Sequence, residues 1–468
     1  MSTSPTSLER TTSSLDEKFP LEAGSPGAEA IGGEKRSWYR SPLCQVNIVG
    51  ACAFLSPGLW NSMNSLGAGG GQEPWLANAA NSIVFGLMVL TCLLGSSITS
   101  VTTYRWALCL GAMGYAPYAG GLVYNLNTGA TWLVYLGSIT CGLSAGLFWS
   151  VEGAIALGYP DPAQRGIFLA IWLAWRNAGQ ILGGAINLGL NAKGNKIGAI
   201  SQVTYYVFIA LQCVAPLVAM FLVNPSQVQR KDGKPVDMEK HIGFFAEMRE
   251  MWALMCRREV LWLLPISLYA QWTSPYINSF LSLYFTVRAR ALGSLVIAIL
   301  GVITNFGLGA FLDNERFSKK TRARASYLMI MVTLGGVWIW ATVIQLRFLD
   351  NKPRLDWSDG TRFAEAWMIY VLFYITYFTL QNNLYWIIAN TARAPHELIR
   401  LSSFLRGAES AGSACGYALT ASKNLPLTVP LGINFGLWGV AIVTAWVTVK
   451  EVGVTLGVKD AEEDEGEK

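Results

Sequence analysis

Charge is what this 468-residue chain has least of: Asp, Glu, Lys and Arg make up 14% of it, against about 25% in ordinary soluble domains. A soluble chain of this length would split into two or three domains, each with a charged surface. There is too little charge here to coat them. Histidine is almost missing, with only His241 and His396 in separate polar segments, so no Cys/His metal site is expected. The eight cysteines form no CxxC and lie nearly all within apolar runs. They read as packing thiols and exclude a disulfide-rich secreted module. Gly67-Ala68-Gly69-Gly70-Gly71 is not followed by Lys-Ser/Thr, so it is a flexible loop and no phosphate cradle. There is no Walker sequence and no recognisable triad. The expectation is no catalytic residue, no cofactor and no ATP-driven pump. No N-x-S/T sequon with an acceptable middle residue occurs.

What is present is apolar. Hydrophobic residues make up 52% of the chain, enough for about twelve helices at about 20 residues per bilayer crossing. The expected spans are 44–66, 75–98, 105–126, 130–158, 166–190 and 200–223, then 259–286, 291–313, 325–349, 364–389, 400–422 and 427–449. Residues 1–40 read as a disordered tail, 224–258 as a polar loop and 450–468 as an acidic tail. The fold class is an all-α polytopic membrane protein of 12 transmembrane helices, in six-helix segments 41–223 and 259–449. With both tails on one side, 24 of the 35 Lys and Arg residues fall there and nine opposite. That asymmetry puts both termini in the cytoplasm, in a plasma membrane or an endomembrane. The net charge of +5 is modest and its basic residues sit in short breaks, so no nucleic-acid partner is expected.

The two segments echo each other. Ser56-Pro57-Gly58-Leu59-Trp60-Asn61-Ser62 matches Ser274-Pro275-Tyr276-Ile277-Asn278-Ser279 in place. Phe148-Trp149 matches Tyr385-Trp386, and Arg176-Asn177-Ala178 matches Arg406-Gly407-Ala408. A duplicated six-helix unit follows.

Four charges lie inside expected spans: Glu152, Arg176, Arg406 and Glu409. Each costs about 2.5–3.5 kcal/mol at a lipid-facing helix centre, so they should face the bundle interior. A Glu152–Arg176 pair is within side-chain reach, and Arg406 and Glu409 share a helix face. One reading is a substrate or proton site at the seam of the two segments. The other is an ion pair that fixes helix packing. A buried pair adds little over apolar packing, which favours the first. Amides cluster around these charges: Asn61, Asn64, Asn177, Gln180, Asn278, Gln381, Asn382 and Asn383. Pro57 and Pro275 interrupt the spans that carry Asn61 and Asn278, as in a central binding site built on broken helices. Gly179-x-x-x-Gly183 and Gly412-x-x-x-Gly416 read as close helix-packing motifs. Asp313 and Arg316, ahead of a basic cluster, are candidates for a cytoplasmic charge gate.

Twelve spans in a 6+6 repeat, with G-x-x-x-D and basic residues after the eighth, resemble the major facilitator superfamily. The loop after the second span departs from that pattern, because Gly95-Ser96-Ser97-Ile98-Thr99 has no Asp. Four stretches within 40–450 are similar to the fungal uncoordinated-93-like (Unc-93-like) branch: Gly58 to Gly67; Glu152-Gly153-Ala154-Ile155 with Tyr159-Pro160; Arg165-Gly166 through Trp175-Arg176-Asn177-Ala178-Gly179-Gln180 to Gly184; and Arg406 to Gly412. The resemblance implies an integral membrane protein with rocker-switch architecture and names no substrate. The expected function is secondary transport of a small polar or organic solute, ion- or proton-coupled. The alternative is a non-transporting regulator or trafficking partner of another membrane protein.

Overall fold

The computed structural model describes residues 37–160, 165–196, 198–230, 236, 244–350, 352–393 and 397–457. Most of the expected N-terminal tail, the acidic end, His241 and His396 lie outside these. Among the described residues the only β-pairings are two isolated bridges, Phe285 with Leu355 and Val452 with Leu456.

The first run of helices begins with α1 (Pro42–Ala53), a π-turn (Phe54–Gly58) and α2 (Leu59–Asn64). It continues with α3 (Pro74–Val101), α4 (Tyr104–Met113), α5 (Tyr115–Thr128), α6 (Trp132–Gly158), α7 (Arg165–Asn191) and α8 (Gln202–Ala219). The connecting stretch holds α9 (Phe244–Met255) and α10 (Arg258–Leu261). The second run is α11 (Leu264–Trp272), α12 (Ser274–Tyr284), α13 (Val287–Leu312), α14 (Lys319–Asp350), α15 (Thr361–Ala389), α16 (Glu397–Thr420) and α17 (Thr428–Val449).

Among the described residues eight helical stretches are long and apolar enough to cross a membrane: α1 with α2, α3, α6, α8, α13, α14, α15 and α17. The other four expected spans are helical as well, and differ for local reasons. Two are broken in the middle, into α4 and α5 and into α11 and α12. Pro117 and Pro275 lie just past those breaks and donate no hydrogen bond to the carbonyl four residues back. The carbonyl that Pro275 leaves free, on Gln271, accepts instead from the Ser413 hydroxyl of α16 at 3.4 Å. The remaining two, α7 and α16, carry Arg176 and Arg406 among polar neighbours. Pro57 sits in the π-turn, which absorbs the same loss without ending the span.

Apolar packing follows the chain order. One core draws on Leu254 to Val452, and two others on Val46 to Val236, joined by Val287 and Ala291 of α13. The two runs meet where α3 packs on α16 and α7 on α13. Small residues set these helix distances. A Cβ on Gly179 of α7 would stand 2.5 Å from the Phe54 carbonyl oxygen, so α7 lies directly on the π-turn and presents Arg176 beside it. A Cβ on Gly412 of α16 would run into the Leu268 carbonyl of α11.

Candidate functional site

Between the two runs lies a cavity of about 160 Å³. On the first run's side it is lined by Asn61 and Asn64 of α2 and by Arg176, Asn177 and Gln180 of α7. On the second run's side stand Asn278 of α12, Gln381 of α15, and Arg406 and Glu409 of α16. Nine of the eleven residues expected at the site therefore line one space.

A single indole organises the charges. The Arg176 guanidinium lies 5.3 Å and the Arg406 guanidinium 4.2 Å from the Trp149 ring centroid. Each cation is attracted by the ring face, and Trp149 holds one from each run. Arg406 also pairs with Glu409 at 3.2 Å, and Gln381 donates to the same carboxylate oxygen at 3.3 Å. The other Glu409 oxygen is buried without a partner.

Two expected residues stand elsewhere. Glu152 is fully buried and does not line the cavity. The Trp172 indole N–H donates to its Oε2 at 3.0 Å, and its Oε1 is buried and unpartnered. The same Trp172 ring lies 5.8 Å from the Arg176 guanidinium. Among the described residues Glu152 and Arg176 form no ion pair, because Trp172 occupies the position between them. Asn382 is not among the lining residues and donates to the carbonyl of Asn305 of α13, which is one of them, at 3.5 Å.

The amides divide into two groups. Asn64 accepts from Asn81 at 3.1 Å, and Asn81 accepts from Tyr118 at 2.8 Å. Asn278 accepts from Tyr374 at 2.8 Å and donates to Tyr417 at 3.4 Å. Those side chains belong to internal networks. Asn61, Asn177 and Gln180 line the cavity with no side-chain hydrogen bond to protein among the described residues.

The cavity is sealed at one end. There Arg290 of α13, buried at 1% exposure, donates to the carbonyls of Gly70 (3.3 Å) and Gly198 in the first run. Asn187 of α7 donates to the Ser62 carbonyl at 3.0 Å and to Ser294 of α13 at 2.8 Å. Backbone N–H groups of Val287 and Arg288 donate to Lys196 and Gly194 at 2.9 and 2.8 Å. Tyr370 donates to the Ser65 carbonyl at 3.0 Å. At the opposite end the charge pairs among the described residues tie the connecting stretch to the second run, as Arg257–Glu397 at 2.5 Å and Arg393–Glu259 at 2.8 Å. Asp313 and Arg316 are exposed at that end, and among the described residues neither is in an ion pair. The basic cluster beyond them holds the segment that follows α17 instead: Lys319 donates to the Gly457 carbonyl and Arg324 to that of Lys450, each at 2.6 Å.

Arg290, Asn187, Trp149 and Trp172 were not expected at the site. Arg290 reads as one of the nine basic loop residues when the eighth span starts at 291, whereas α13 starts at Val287. The tryptophans carry no signal that separates them from packing.

The sealed end rests on the 352–360 loop. Asp356 accepts from Arg288 (Nε at 2.7 Å), from the Thr286 hydroxyl at 2.6 Å and from the Ser358 hydroxyl at 2.7 Å. The Arg288 hydrogen bonds hold its carboxyl well below the usual carboxylate range, against the opposing effect of burial, with Thr286 and Ser358 adding to the depression. A depressed carboxyl stabilises the fold fully above its unfolded pKa of about 3.9 and stops doing so as pH falls through the folded value. Asp356→Asn is therefore expected to lower Tm by a few degrees at pH 7 and to flatten the acid limb of the Tm–pH curve. An unchanged Tm at pH 7 would remove this assignment.

Two runs of helices around a polar seam define a class, the major facilitator fold. A solved POT family transporter in complex with 5-aminolevulinic acid has that fold, with a TM-score of 0.62 at 12% identity over 87% of this chain and 96% of its own. The family then follows from sequence: the chain belongs to the UNC-93 family, whose model, described as ion channel regulatory protein UNC-93, matches residues 78–377. It is 38% identical to Notoamide biosynthesis cluster protein O' of Aspergillus versicolor, over 91% of this chain and 92% of that one. It is 29% identical to UNC93-like protein 1 of Arabidopsis thaliana, over 90% and 92% of the two chains. It is an integral, multi-pass membrane protein.

Proposed function

We propose that this protein is a secondary active transporter of a small polar or organic solute, proton-coupled, with alternating access between halves 41–223 and 259–449. The halves form twelve spans, joined by 224–258, with both termini cytoplasmic. The observation that carries this reading is a cavity at the seam, lined by charges of both signs and closed at the Arg290 end by hydrogen bonds between the two runs. Rocking one half against the other would break the Arg290 end and close the Asp313 end. In this topology the Asp313 end faces the cytoplasm. The solved transporter neighbours and the biosynthesis-cluster name of one relative also support a small organic solute.

Glu152 is the proton-carrying group. One of its oxygens lacks a partner, so a proton there would relieve a buried charge. Trp172 links it to Arg176, and hence to the cavity. In proteoliposomes Glu152→Gln is expected to abolish uptake driven by a pH gradient while solute exchange at equal pH persists. Unchanged pH-driven uptake in the mutant would remove the role.

The family description favours a second reading, regulation of another membrane protein. Trp252 of α9, 67% exposed, would then belong to a partner surface. A stably co-purifying membrane partner, together with no flux of any solute, would decide for it.

A further inference from the structure

We infer that the cavity binds a single-ring organic monoanion, with Arg176 as the anion's anchor. This deepens the transporter reading and rests on its cavity.

The charges around the space do not balance. Arg176 and Arg406 line it, and Glu409 is the only carboxylate among its lining residues. Glu409 is already committed to Arg406 at 3.2 Å. Arg176 is left as a cation whose described contacts are two indole faces, with no hydrogen bond or ion pair to protein among the described residues. Glu152 stands behind Trp172 and does not reach the cavity. An unpaired guanidinium at membrane depth is costly, and a ligand anion offsets that cost most directly. A guanidinium also offers the paired N–H geometry that a carboxylate or sulfonate accepts.

Donors converge on the same spot. Asn177 and Gln180 stand one and four residues after Arg176 on α7, and Asn61 comes from α2, which packs on α7. Asn61, Asn177 and Gln180 have no side-chain partner among the described residues, and neither does the lining Asn305 of α13, whose buried Oδ1 is unpartnered, while Asn64, Asn278 and Gln381 are occupied. Three of these four open amides thus stand on α7 with the unpaired cation and on α2, which packs against it.

The rest of the wall fits a ring. Phe85 stacks on Tyr417 with centroids 5.6 Å apart, and Tyr377 packs on Phe378 at 5.5 Å. All four line the cavity. Its volume, about 160 Å³, matches the roughly 150 Å³ that holds one benzene.

The test uses the purified full chain in detergent and four probes: benzoate, benzamide, benzylamine and acetate. Benzoate is expected to raise Tm saturably, benzamide and benzylamine to leave it unchanged, and acetate to need a concentration higher on the order of tenfold. Arg176→Gln should weaken benzoate on the order of tenfold or more, and Arg176→Lys should retain part of the shift. Retention in the lysine variant separates lost charge from a damaged fold. A benzamide or benzylamine shift equal to that of benzoate, a benzoate shift that survives Arg176→Gln, or no shift with any probe would each overturn the inference. Proteoliposome flux of benzenesulfonate, which carries a fixed charge, separates this inference from the transporter reading. Saturable benzoate binding without flux would uphold the anion site and remove transport. Flux of benzylamine that Arg176→Gln leaves intact would do the reverse.

Discussion

Arg290→Gln is expected to unlock the sealed end. A cysteine placed at the cavity-lining Asn61, with Cys213, Cys256 and Cys415 replaced by alanine, should react with a membrane-impermeant maleimide faster on the order of tenfold in the glutamine variant. The reason is the partner set. Arg290 is a buried cation held by two backbone carbonyls of the other run, and its Nε has no partner. Those carbonyls are near it only when this end is closed, so their hydrogen bonds stabilise that state alone. A hydrogen bond to a charged group contributes about 1.5–3 kcal/mol, and a tenfold change in an equilibrium needs about 1.4 kcal/mol. Arg347→Gln is the control, because its pair with Glu365 lies at the surface, 60% and 40% exposed, where such pairs contribute little. Equal labelling in wild type and Arg290→Gln would show that the seal rests on Asn187, Ser62 and Ser294 instead.

Gly412→Ala should be the most damaging conservative change in the second run. The added methyl would enter the Leu268 carbonyl of α11. Relief means prising α11 from α16, which overpacking data place at about 1–3 kcal/mol and occasionally more. The shift would also move Ser413 off the free Gln271 carbonyl, leaving that group unsatisfied. Gly407→Ala, on the same helix with open space around it, should leave folding unharmed. The comparison is read as the monodisperse fraction after detergent extraction and as Tm. Equal values for the two variants would mean that α11 and α16 separate without loss.

The helices were legible because apolar runs and their interruptions are local properties. Pro57 and Pro275 mark breaks through one missing N–H each, visible without any neighbour. The in-span charges were legible for a related reason: lipid penalises them wherever they sit, so Arg176, Arg406 and Glu409 had to face inward. Partner choice was not legible. The expected Glu152–Arg176 pair is replaced by Trp172, whose indole donates to the one and faces the other, and only the packed structure reveals that. Asn382 sits between two residues that face the interior, Gln381 and Asn383, and a small error in helix phase decides its side. Arg290 was hidden by a helix boundary four residues off, which turned a buried latch into an apparent loop charge. Asp313 matched a family pattern whose partner is not among the described contacts.

The one-sided seal also sets how strongly ligands act from each face. Under the proposed alternating access, a ligand arriving at the Asp313 end meets the state receptive to it, and its apparent Kd equals its intrinsic Kd. From the Arg290 end the apparent Kd is the intrinsic value divided by the fraction of molecules open there. If about 1% are open, the same compound at the same cavity acts about a hundredfold more weakly from that face. Sidedness of inhibition is then a property of the hydrogen bonds around Arg290 and Asn187, and chemical optimisation against the cavity walls would leave the ratio unchanged.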